Sequence, residues 1–392
     1  VLFSAIDDWN DWIGARGGHP QARTPNLDQL AKRGVLFTRA YCTAPSCNPS
    51  RASLMTGLYP EQTGVLSNAG DFRERHPSIT TLSQHFMNNG YFAARVGKIY
   101  HYGVPLQIGT DGKDDAASWN TVANPIGIDR TELEPVATLQ KGKYGGTLSW
   151  RIVESRDEDH TDGKGALEAI RLIEENHPDK TGKPFFLAVG IRLPHVPLYA
   201  PRRFFKRHPE KQVELPVDRV DDLADLPPAG LQITRYMHNT PLNHKSVVAS
   251  GNWGNAVAAY LACTEFVDHC IGVMLDALDA SAYAKDTVIV LWSDHGWHLG
   301  EKQHWAKRSL WGESTRVPLI VAGPDLPRGN CSRPVGLIDL YPTLNELCDL
   351  SKPPQSLEGH SLVPLLQKPD AAWPHPAITT FHQNDHTIRT EH

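Results

Sequence analysis

The chain has 392 residues, of which 40% are hydrophobic and 21% are charged, as is typical of a soluble globular protein. This length is enough for one large domain or two ordinary ones. The formal net charge of −5 argues against a general nucleic-acid binder, and no uninterrupted apolar run approaches the roughly 18 residues of a membrane span. The six cysteines are too few and too scattered for a disulfide scaffold.

The first predicted element is a strand over residues 1–6. It is apolar without alternation, which is typical of a strand buried on both faces of a parallel sheet. Asp7 and Asp8 follow it directly. Adjacent carboxylates repel each other unless a cation lies between them, and open α/β sheets bind ligands at the carboxyl ends of their strands. The pair therefore indicates a metal site, with a turn in which one acid caps a helix as the alternative.

The second feature is the stretch at residues 47–57, Cys-Asn-Pro-Ser-Arg-Ala-Ser-Leu-Met-Thr-Gly. Pro49 and Ser50 favour the first turn of a helix, and the free N–H groups of a helix start favour anions. Arg51 adds a fork of donors that suits a tetrahedral oxyanion. Cys47 is then either a small buried apolar side chain or the reactive group of a phosphate or sulfate ester site.

This stretch resembles the sulfatase signature, Cys-x-Pro-Ser-Arg-x-x-x-x-Thr-Gly. In that family the cysteine is oxidised after synthesis to formylglycine, and the hydrated aldehyde is the nucleophile. The resemblance implies that Cys47 is converted by a partner, either a formylglycine-generating enzyme or an anaerobic sulfatase-maturating enzyme.

A predicted helix over residues 79–89 ends at Gly90, and a strand over residues 91–96 leads into Lys98 and His101. Taken singly, a lysine and a histidine at such positions are more often surface residues than catalysts. The resemblance implies that both hold the hydrated aldehyde. Their Lys-x-x-His spacing is similar to that of the iduronate-2-sulfatase-like branch of the family.

Residues 103–160 are polar and weakly periodic, which predicts a long loop that carries specificity. A helix over residues 165–176 and a buried strand over residues 184–190 follow. His195 comes next, between two prolines that stiffen its backbone. This placement suits a positioned acid, with an ordinary loop histidine as the alternative.

A long amphipathic helix is predicted over residues 257–278, followed by a buried strand over residues 287–292. Asp294 and His295 come just after this strand and form a second metal-like pair. Lys307 lies a short distance beyond them. Four ring side chains of the two long loops, residues 103–160 and 214–252, or next to them are expected to line the outer pocket: Trp119, His238, His244 and Trp253.

The alternation of strands and helices predicts an α/β fold with a doubly wound, mixed but mostly parallel central sheet flanked by helices. Residues 1–350 are expected to form the catalytic domain, and residues 351–392 the beginning of a small C-terminal α+β subdomain. Val1 already lies in a predicted strand. A signal peptide is therefore expected upstream of it, with a periplasmic or secreted location.

The resemblance also implies a ligand set and catalytic roles. One divalent ion would be held by Asp7, Asp8, Asp294, His295 and the converted Cys47. Calcium is expected, because carboxylates suit hard cations and a zinc site would use more His or Cys. The implied catalytic residues are Cys47, Arg51, Lys98, His101, His195 and Lys307.

The resulting prediction is a sulfuric ester hydrolase that acts on a sulfated carbohydrate, a glycosaminoglycan or algal polysaccharide fragment, with a 2-O-sulfated uronic acid as one candidate. Two other functions fit the same layout. One is a phosphodiesterase or phosphonate hydrolase of the same alkaline-phosphatase superfamily. The other is a non-catalytic protein that binds sulfated glycans.

Overall fold

The computed structural model describes residues 1–133, 137–140, 144–217, 219, 221–235 and 243–391. Its strands are β1 (Leu2–Ile6), β2 (Val35–Phe37), β3 (Ala40–Tyr41), β4 (Phe92–Gly97), β5 (Thr121–Ala123), β6 (Ala137–Thr138), β7 (Ser149–Val153), β8 (Phe185–Ile191), β9 (Leu198–Pro201), β10 (Ile289–Ser293), β11 (His298–Leu299), β12 (Trp305–Ala306), β13 (Arg316–Val317), β14 (Leu319–Ala322), β15 (Gly329–Cys331), β16 (Val335–Gly336), β17 (Ala377–Thr380) and β18 (His386–Arg389). Its α-helices are α1 (Pro25–Arg33), α2 (Cys47–Thr56), α3 (Pro60–Thr63), α4 (Phe72–Arg75), α5 (Leu82–Asn88), α6 (Ile128–Thr131), α7 (Thr161–Glu175), α8 (Pro178–Thr181), α9 (Arg202–Phe205), α10 (Pro228–Thr234), α11 (His244–Ala249), α12 (Trp253–Asp279), α13 (Gly312–Thr315), α14 (Leu340–Leu347) and α15 (Val363–Gln367).

Within the described part of the chain, eight strands form the central sheet in the order β15-β2-β14-β10-β1-β8-β4-β5. Neighbouring strands are parallel, except that β14 runs antiparallel to β10 and β2. The predicted doubly wound, mostly parallel sheet is therefore confirmed. Because β10, β1, β8 and β4 run in one direction, their carboxyl ends meet at one edge of the sheet.

Both faces of the sheet are covered, which explains its nearly continuous apolar strands. Leu2 and Ile6 of β1 lie in one hydrophobic cluster with side chains of α1, α7 and α12. Phe3 and Ala5 point the other way, into a cluster with side chains of α2, α5 and α14. The sheet is thus the middle layer of three.

Helix α12 is the longest helix in the described ranges and spans Trp253–Asp279, slightly more than predicted. By length and composition alone it could cross a membrane, but 89% of its apolar window is buried inside the fold. It packs against α7 and α1. This burial is typical of the core helix of a globular domain.

The prediction of a long loop over residues 103–160 is wrong in part. Strand β5, helix α6 and strand β7 all lie there, and α7 begins at Thr161, four residues before the predicted start. These elements have three to five residues each, apart from α7. They are too short to show a periodic apolar pattern, which is the main signal for a strand or helix in sequence.

Two glycines let the ends of β4 and β8 approach closely. Gly97 has φ +66°, and a Cβ atom there would lie 2.2 Å from the carbonyl oxygen of Gly190. A Cβ atom on Gly190 would in turn lie 2.0 Å from the carbonyl carbon of Lys98. Only glycine fits both positions. The Lys98 N–H donates to the Gly190 carbonyl at 2.9 Å. The backbone of Lys98 is therefore held at the sheet edge, next to the end of β8.

The chain beyond residue 350 packs on the main domain. Side chains of α15 join the hydrophobic cluster below α2, and β17 pairs with β18 in an antiparallel hairpin. The Thr380 N–H donates to the Thr43 carbonyl at 2.8 Å, and the Thr379 hydroxyl donates to the Cys42 carbonyl at 2.6 Å. The domain boundary at residue 350 stays a prediction.

Candidate active site

Helix α2 begins at Cys47, as the sequence predicts. Ser46 precedes it in an extended conformation, so the chain enters the helix directly at the cysteine. Arg51 lies one turn further along, on the same face of the helix. Both side chains are completely buried. The first turn of α2 therefore presents a thiol and a guanidinium together to the edge of the sheet.

Asp7 and Asp8 follow β1 and both face this helix start. Successive side chains of a strand alternate between its two sides, but Asp8 has φ +64°. This left-handed conformation, which aspartate tolerates better than most residues, breaks the alternation. The Asp8 N–H donates to Oδ1 of Asp294 at 3.1 Å. The turn after β1 is thereby tied to the end of β10.

Arg51 joins the two strand ends through its guanidinium. Its Nε atom lies 2.7 Å from Oδ2 of Asp294, and its Nη2 atom lies 3.3 Å from Oδ1 of Asp7. Ser50 donates its hydroxyl to the carbonyl oxygen of Asp294 at 2.6 Å. Burial opposes the charge of Arg51, but the Asp294 and Asp7 carboxylates raise its pKa above the ordinary value. The guanidinium is a fixed cation at the base of the site.

The thiol of Cys47 lies between two basic side chains. Its Sγ atom is 3.1 Å from Nζ of Lys307 and 3.3 Å from Nε2 of His295. Lys307 also pairs with Oδ1 of Asp8 at 2.5 Å. Burial alone would raise the pKa of Cys47, but the charges of Lys307, Lys98 and His295 together outweigh burial and lower that pKa. The reactive position thus lies directly beside two basic side chains.

The remaining predicted residues surround this centre. Nζ of Lys98 lies 2.5 Å from Oδ2 of Asp7 rather than against the cysteine, so among the two lysines it is Lys307 that contacts Cys47. Nε2 of His195 lies 3.7 Å from Oδ2 of Asp8. Nδ1 of His101 is buried and has no hydrogen-bond partner among the described residues. Burial, reinforced by the Lys98 cation, lowers the pKa of His101 to about 2.

The adjacent carboxylates of Asp7 and Asp8 differ in their protonation. Burial would raise the pKa of Asp7, but the charges of Lys98, His195 and Arg51 hold it well below its usual range. Burial raises the pKa of Asp8 to about 7, against the charge of Lys307. Burial would lower the pKa of His295, but the charges of Asp294, Cys47 and Asp8 together raise it to about 9.

The residues present fit a divalent metal ion. Donor atoms of Asp7, Cys47, Asp294 and His295 lie within 4.8 Å of one another, and those of Asp8, Cys47 and His195 form a second such group. Oδ2 of Asp8 is buried without a hydrogen-bond partner in the described structure, which suits an atom that would bind a metal ion. The three carboxylates suit a hard cation, whereas a thiol at position 47 does not.

The expectation for the outer pocket is wrong for Trp119 and stays a prediction for the other three residues. Trp119 is buried in the core instead of lining a pocket, because its ring packs edge-on against Tyr100 and its N–H donates to Asp114. The rings of His244 and Trp253 pack together, and both contact the ring of Trp305. His238 lies outside the described residues.

Aromatic side chains that sequence reasoning did not single out complete the inner wall. The Trp297 ring lies 5.6 Å from Nζ of Lys307 and 6.3 Å from the His195 ring. The Tyr102 ring lies 5.3 Å from Nζ of Lys98. Both are within two residues of predicted site residues along the chain. This closeness along the chain to His295 and His101 is the only feature of the sequence that points to the two aromatic residues.

A family model described as Sulfatase matches residues 1–350. The chain belongs to the sulfatase family. Among curated relatives, it is 38% identical to a sulfatase of Formosa agariphila, covering all of this chain and 77% of that protein. It is 32% identical to the iduronate 2-sulfatase of Mus musculus, covering 83% of this chain and 59% of the mouse protein. This membership confirms the predicted enzyme class, a sulfatase.

Solved structures of other proteins share the sulfatase fold of this chain. A 2-O GAG sulfatase superposes with a TM-score of 0.66 at 22% identity, covering all of this chain and 78% of that one. The phosphonate monoester hydrolase of Agrobacterium radiobacter superposes with a TM-score of 0.74 at 21% identity, covering 98% of this chain and 80% of that one. At these identities the likeness concerns the fold alone.

Proposed function

We propose that this sulfatase releases sulfate from a sulfated carbohydrate, using a formylglycine made from Cys47. The observation that carries the proposal is the position of Cys47 at the start of α2. It is fully buried and lies 3.1 Å from Lys307 and 3.3 Å from His295. A thiol that attacks sulfur has no second hydroxyl with which to release the sulfate, so it can react only once. A hydrated aldehyde has one hydroxyl to attack sulfur and a second whose deprotonation releases the sulfate.

We further propose calcium as the ion of this site, held by Asp7, Asp8, Asp294, His295 and the converted side chain of Cys47. A bound divalent cation supplies positive charge that polarises an ester oxygen. Without it, the three carboxylates face the fixed cations Arg51, Lys98 and Lys307. With it, the pocket becomes net positive, which suits an anionic sulfate ester and the charge that develops in its transition state.

The chain's own residues handle protons and charge. Lys307 lies at the reactive position and neutralises the sulfate. His195 faces the site through Nε2 and delivers a proton to the leaving oxygen of the ester. His101, whose buried Nδ1 has no hydrogen-bond partner among the described residues, is placed to accept a proton from the second hydroxyl. Lys98 holds Asp7 ionised through their ion pair of 2.5 Å, so its contribution to the site is indirect.

Binding of Ca²⁺ to the metal-free protein should weaken as the pH falls through about 7. Asp8 has its pKa raised to about 7 by burial, so below that value a proton competes with the ion for the same carboxylate. The proton on Asp8 should add about a tenfold loss of affinity per pH unit below pH 7 to the loss that protonation of His295 causes, with proton uptake on metal release. Calorimetry at pH 8 and pH 6, in buffers of different ionisation enthalpy, measures both. Equal affinities at the two pH values would contradict the prediction, and Asp8→Asn should leave only the pH dependence that His295, whose pKa is raised to about 9, imposes.

The substrate class is proposed from the named relatives. The mouse relative is an iduronate 2-sulfatase, and a further relative from Formosa agariphila, 25% identical, is an ulvan-active sulfatase. A sulfated polysaccharide fragment therefore leads the candidates, with a 2-O-sulfated uronic acid as the first to test. A phosphonate hydrolase is the second candidate, because the phosphonate monoester hydrolase of Agrobacterium radiobacter shares the fold of this chain.

A substrate comparison tests this proposal. Sulfate release from 2-O-sulfated uronic acid oligosaccharides should exceed hydrolysis of a phosphonate monoester by at least about 100-fold in kcat/KM. Both assays use the same preparation of the full chain, with conversion of Cys47 verified by mass spectrometry. A higher kcat/KM for the phosphonate would favour the second candidate. Tight binding of the oligosaccharides without any turnover would indicate a non-catalytic glycan binder.

A further inference from the structure

His195 stands on a short connection between β8 and β9 that is held by one buried arginine. Arg192 follows β8 directly and is completely buried. Its Nη1 atom donates to the carbonyl oxygen of His195 at 3.1 Å and to that of Pro197 at 3.0 Å. A single guanidinium nitrogen thus holds two carbonyls of the segment that carries the histidine.

Arg192 is itself fixed by a carboxylate from a distant part of the chain. Its Nε atom lies 2.5 Å from Oδ2 of Asp129, and both side chains are at most 1% exposed. The other oxygen of Asp129 accepts from the backbone N–H of Thr161 at 3.0 Å and from its hydroxyl at 2.6 Å. Asp129 therefore ties the arginine to the first residue of α7.

A second carboxylate fixes the backbone on the other side. Asp162 accepts from the N–H of Arg192 at 2.9 Å and from the N–H of Leu193 at 3.0 Å. The two residues before the His195 turn are thereby held by the start of α7. None of these groups is among the candidate metal-binding clusters of the described structure.

The His195 ring depends on this backbone for its orientation. Nδ1 lies 2.6 Å from the carbonyl oxygen of Val196, the next residue, so the ring follows the path of the main chain. Nε2 is left facing Asp8. A buried ion pair contributes less to stability than packed apolar residues would. Its presence directly behind this histidine points to a role in placing the ring.

We propose that Asp129 and Arg192 are positioning residues that act through His195 and fix its Nε2 atom relative to the leaving oxygen. The inference rests on the proposed function, in which His195 protonates that oxygen. In this step a hydroxyl of the hydrated formylglycine forms a new S–O bond and gives up its proton to solvent. The S–O ester bond breaks, its electron pair stays on the leaving oxygen, and that oxygen takes the proton from Nε2. The product leaves as a neutral alcohol, and the histidine regains a proton from solvent.

The test uses two leaving groups that differ in their need for a proton. A sugar alkoxide is a poor leaving group and requires protonation, whereas 4-nitrophenolate leaves readily without it. Asp129→Asn removes the charge that holds Arg192 and keeps the side-chain volume. We expect kcat on the sulfated sugar to fall about 10- to 100-fold, as misplaced catalytic groups do. KM should stay within about twofold and kcat on 4-nitrophenyl sulfate within about threefold of the parent.

The ratio of the two kcat values decides the outcome. A misfolded fraction of the preparation lowers both rates equally and leaves the ratio unchanged, so a purely structural role predicts no change in ratio. Glu265→Gln is the matched control. It neutralises another buried carboxylate, which belongs to α12 and pairs with Arg207 and His208. This substitution should not change the ratio of the two kcat values. Should Asp129→Asn not yield folded protein, Arg192→Lys, which lacks the guanidinium fork, carries the same expectation.

A double-mutant cycle on the sulfated sugar gives an independent readout. In a His195→Ala background, Asp129→Asn should have no further effect on kcat, because the group it positions is gone. Additive losses in the cycle, or an unchanged ratio in the single variant, would overturn the inference. A parent protein that releases no sulfate from either substrate would instead contradict the proposed function.

Discussion

Cys47→Ala should lower kcat for sulfate release by about 10⁴-fold or more, the loss expected when an enzyme loses its nucleophile. The side chain is buried and contacts Lys307 and His295, and the nearby hydroxyl of Ser50 is held on the carbonyl oxygen of Asp294. The thermal midpoint should change little, because Lys307 keeps its ion pair with Asp8. Initial rates and a thermal melt of the same preparation measure both effects.

The chemical identity of the nucleophile needs its own measurement. In active protein, the peptide that contains Cys47 should be lighter than its thiol form by about 18 Da, because sulfur and two hydrogens give way to one oxygen. Cys331→Ala is the matched control, since Cys331 is equally buried but lies in β15 at the far edge of the sheet. It should keep full activity. An unmodified thiol at position 47 in fully active protein would refute the formylglycine.

Removal of divalent metal should lower sulfate release by about 10³-fold, because the charge that stabilises the transition state is lost. Activity should return with Ca²⁺. Full recovery with Zn²⁺ and none with Ca²⁺ would overturn the assignment of calcium. The measurement is the initial rate after dialysis against a chelator and readdition of each ion.

Asp294→Asn tests the same site from the protein side. It removes one candidate ligand and the partner of Arg51 Nε, so the affinity for Ca²⁺ should fall together with kcat. Glu265→Gln again provides a buried carboxylate that lies outside the cluster and should leave Ca²⁺ affinity unchanged. Calorimetric titration of both variants compares them directly. Parent-like affinity in Asp294→Asn would exclude this carboxylate as a ligand.

The core of the site was predictable because each residue follows a strong local signal. Asp7 and Asp294 come directly after apolar strands, and parallel strands end at the same edge of a sheet. Cys47 opens a helix whose start is marked by a specific sequence. For these residues, the position along the chain almost fixes the position in space. The same reasoning gave the sheet and the helices around it.

What could not be predicted depends on contacts between distant residues. The ion pair of Asp129 with Arg192 joins positions 63 residues apart, and Asp129 lies in a segment whose short elements show no periodicity. The ion pair of Lys98 with Asp7 depends on how far a flexible side chain reaches after the glycine-mediated contact of β4 with β8. The prediction for Trp119 is wrong because a large apolar ring in a polar segment can pack into the core as readily as it can face a ligand.

The complete burial of Cys47 limits the time at which the proposed conversion of its side chain can occur. Its neighbours His295 and Lys307 lie 248 and 260 positions further along the chain. At about 5–20 residues per second, the ribosome reaches them roughly 12 to 50 s after Cys47. During that interval the cysteine has no pocket and is open to another enzyme. Once β10 has paired with β1, the thiol is buried inside the fold. Under the proposed conversion, a molecule that folds first keeps its thiol, and the speed of translation then helps to set the active fraction.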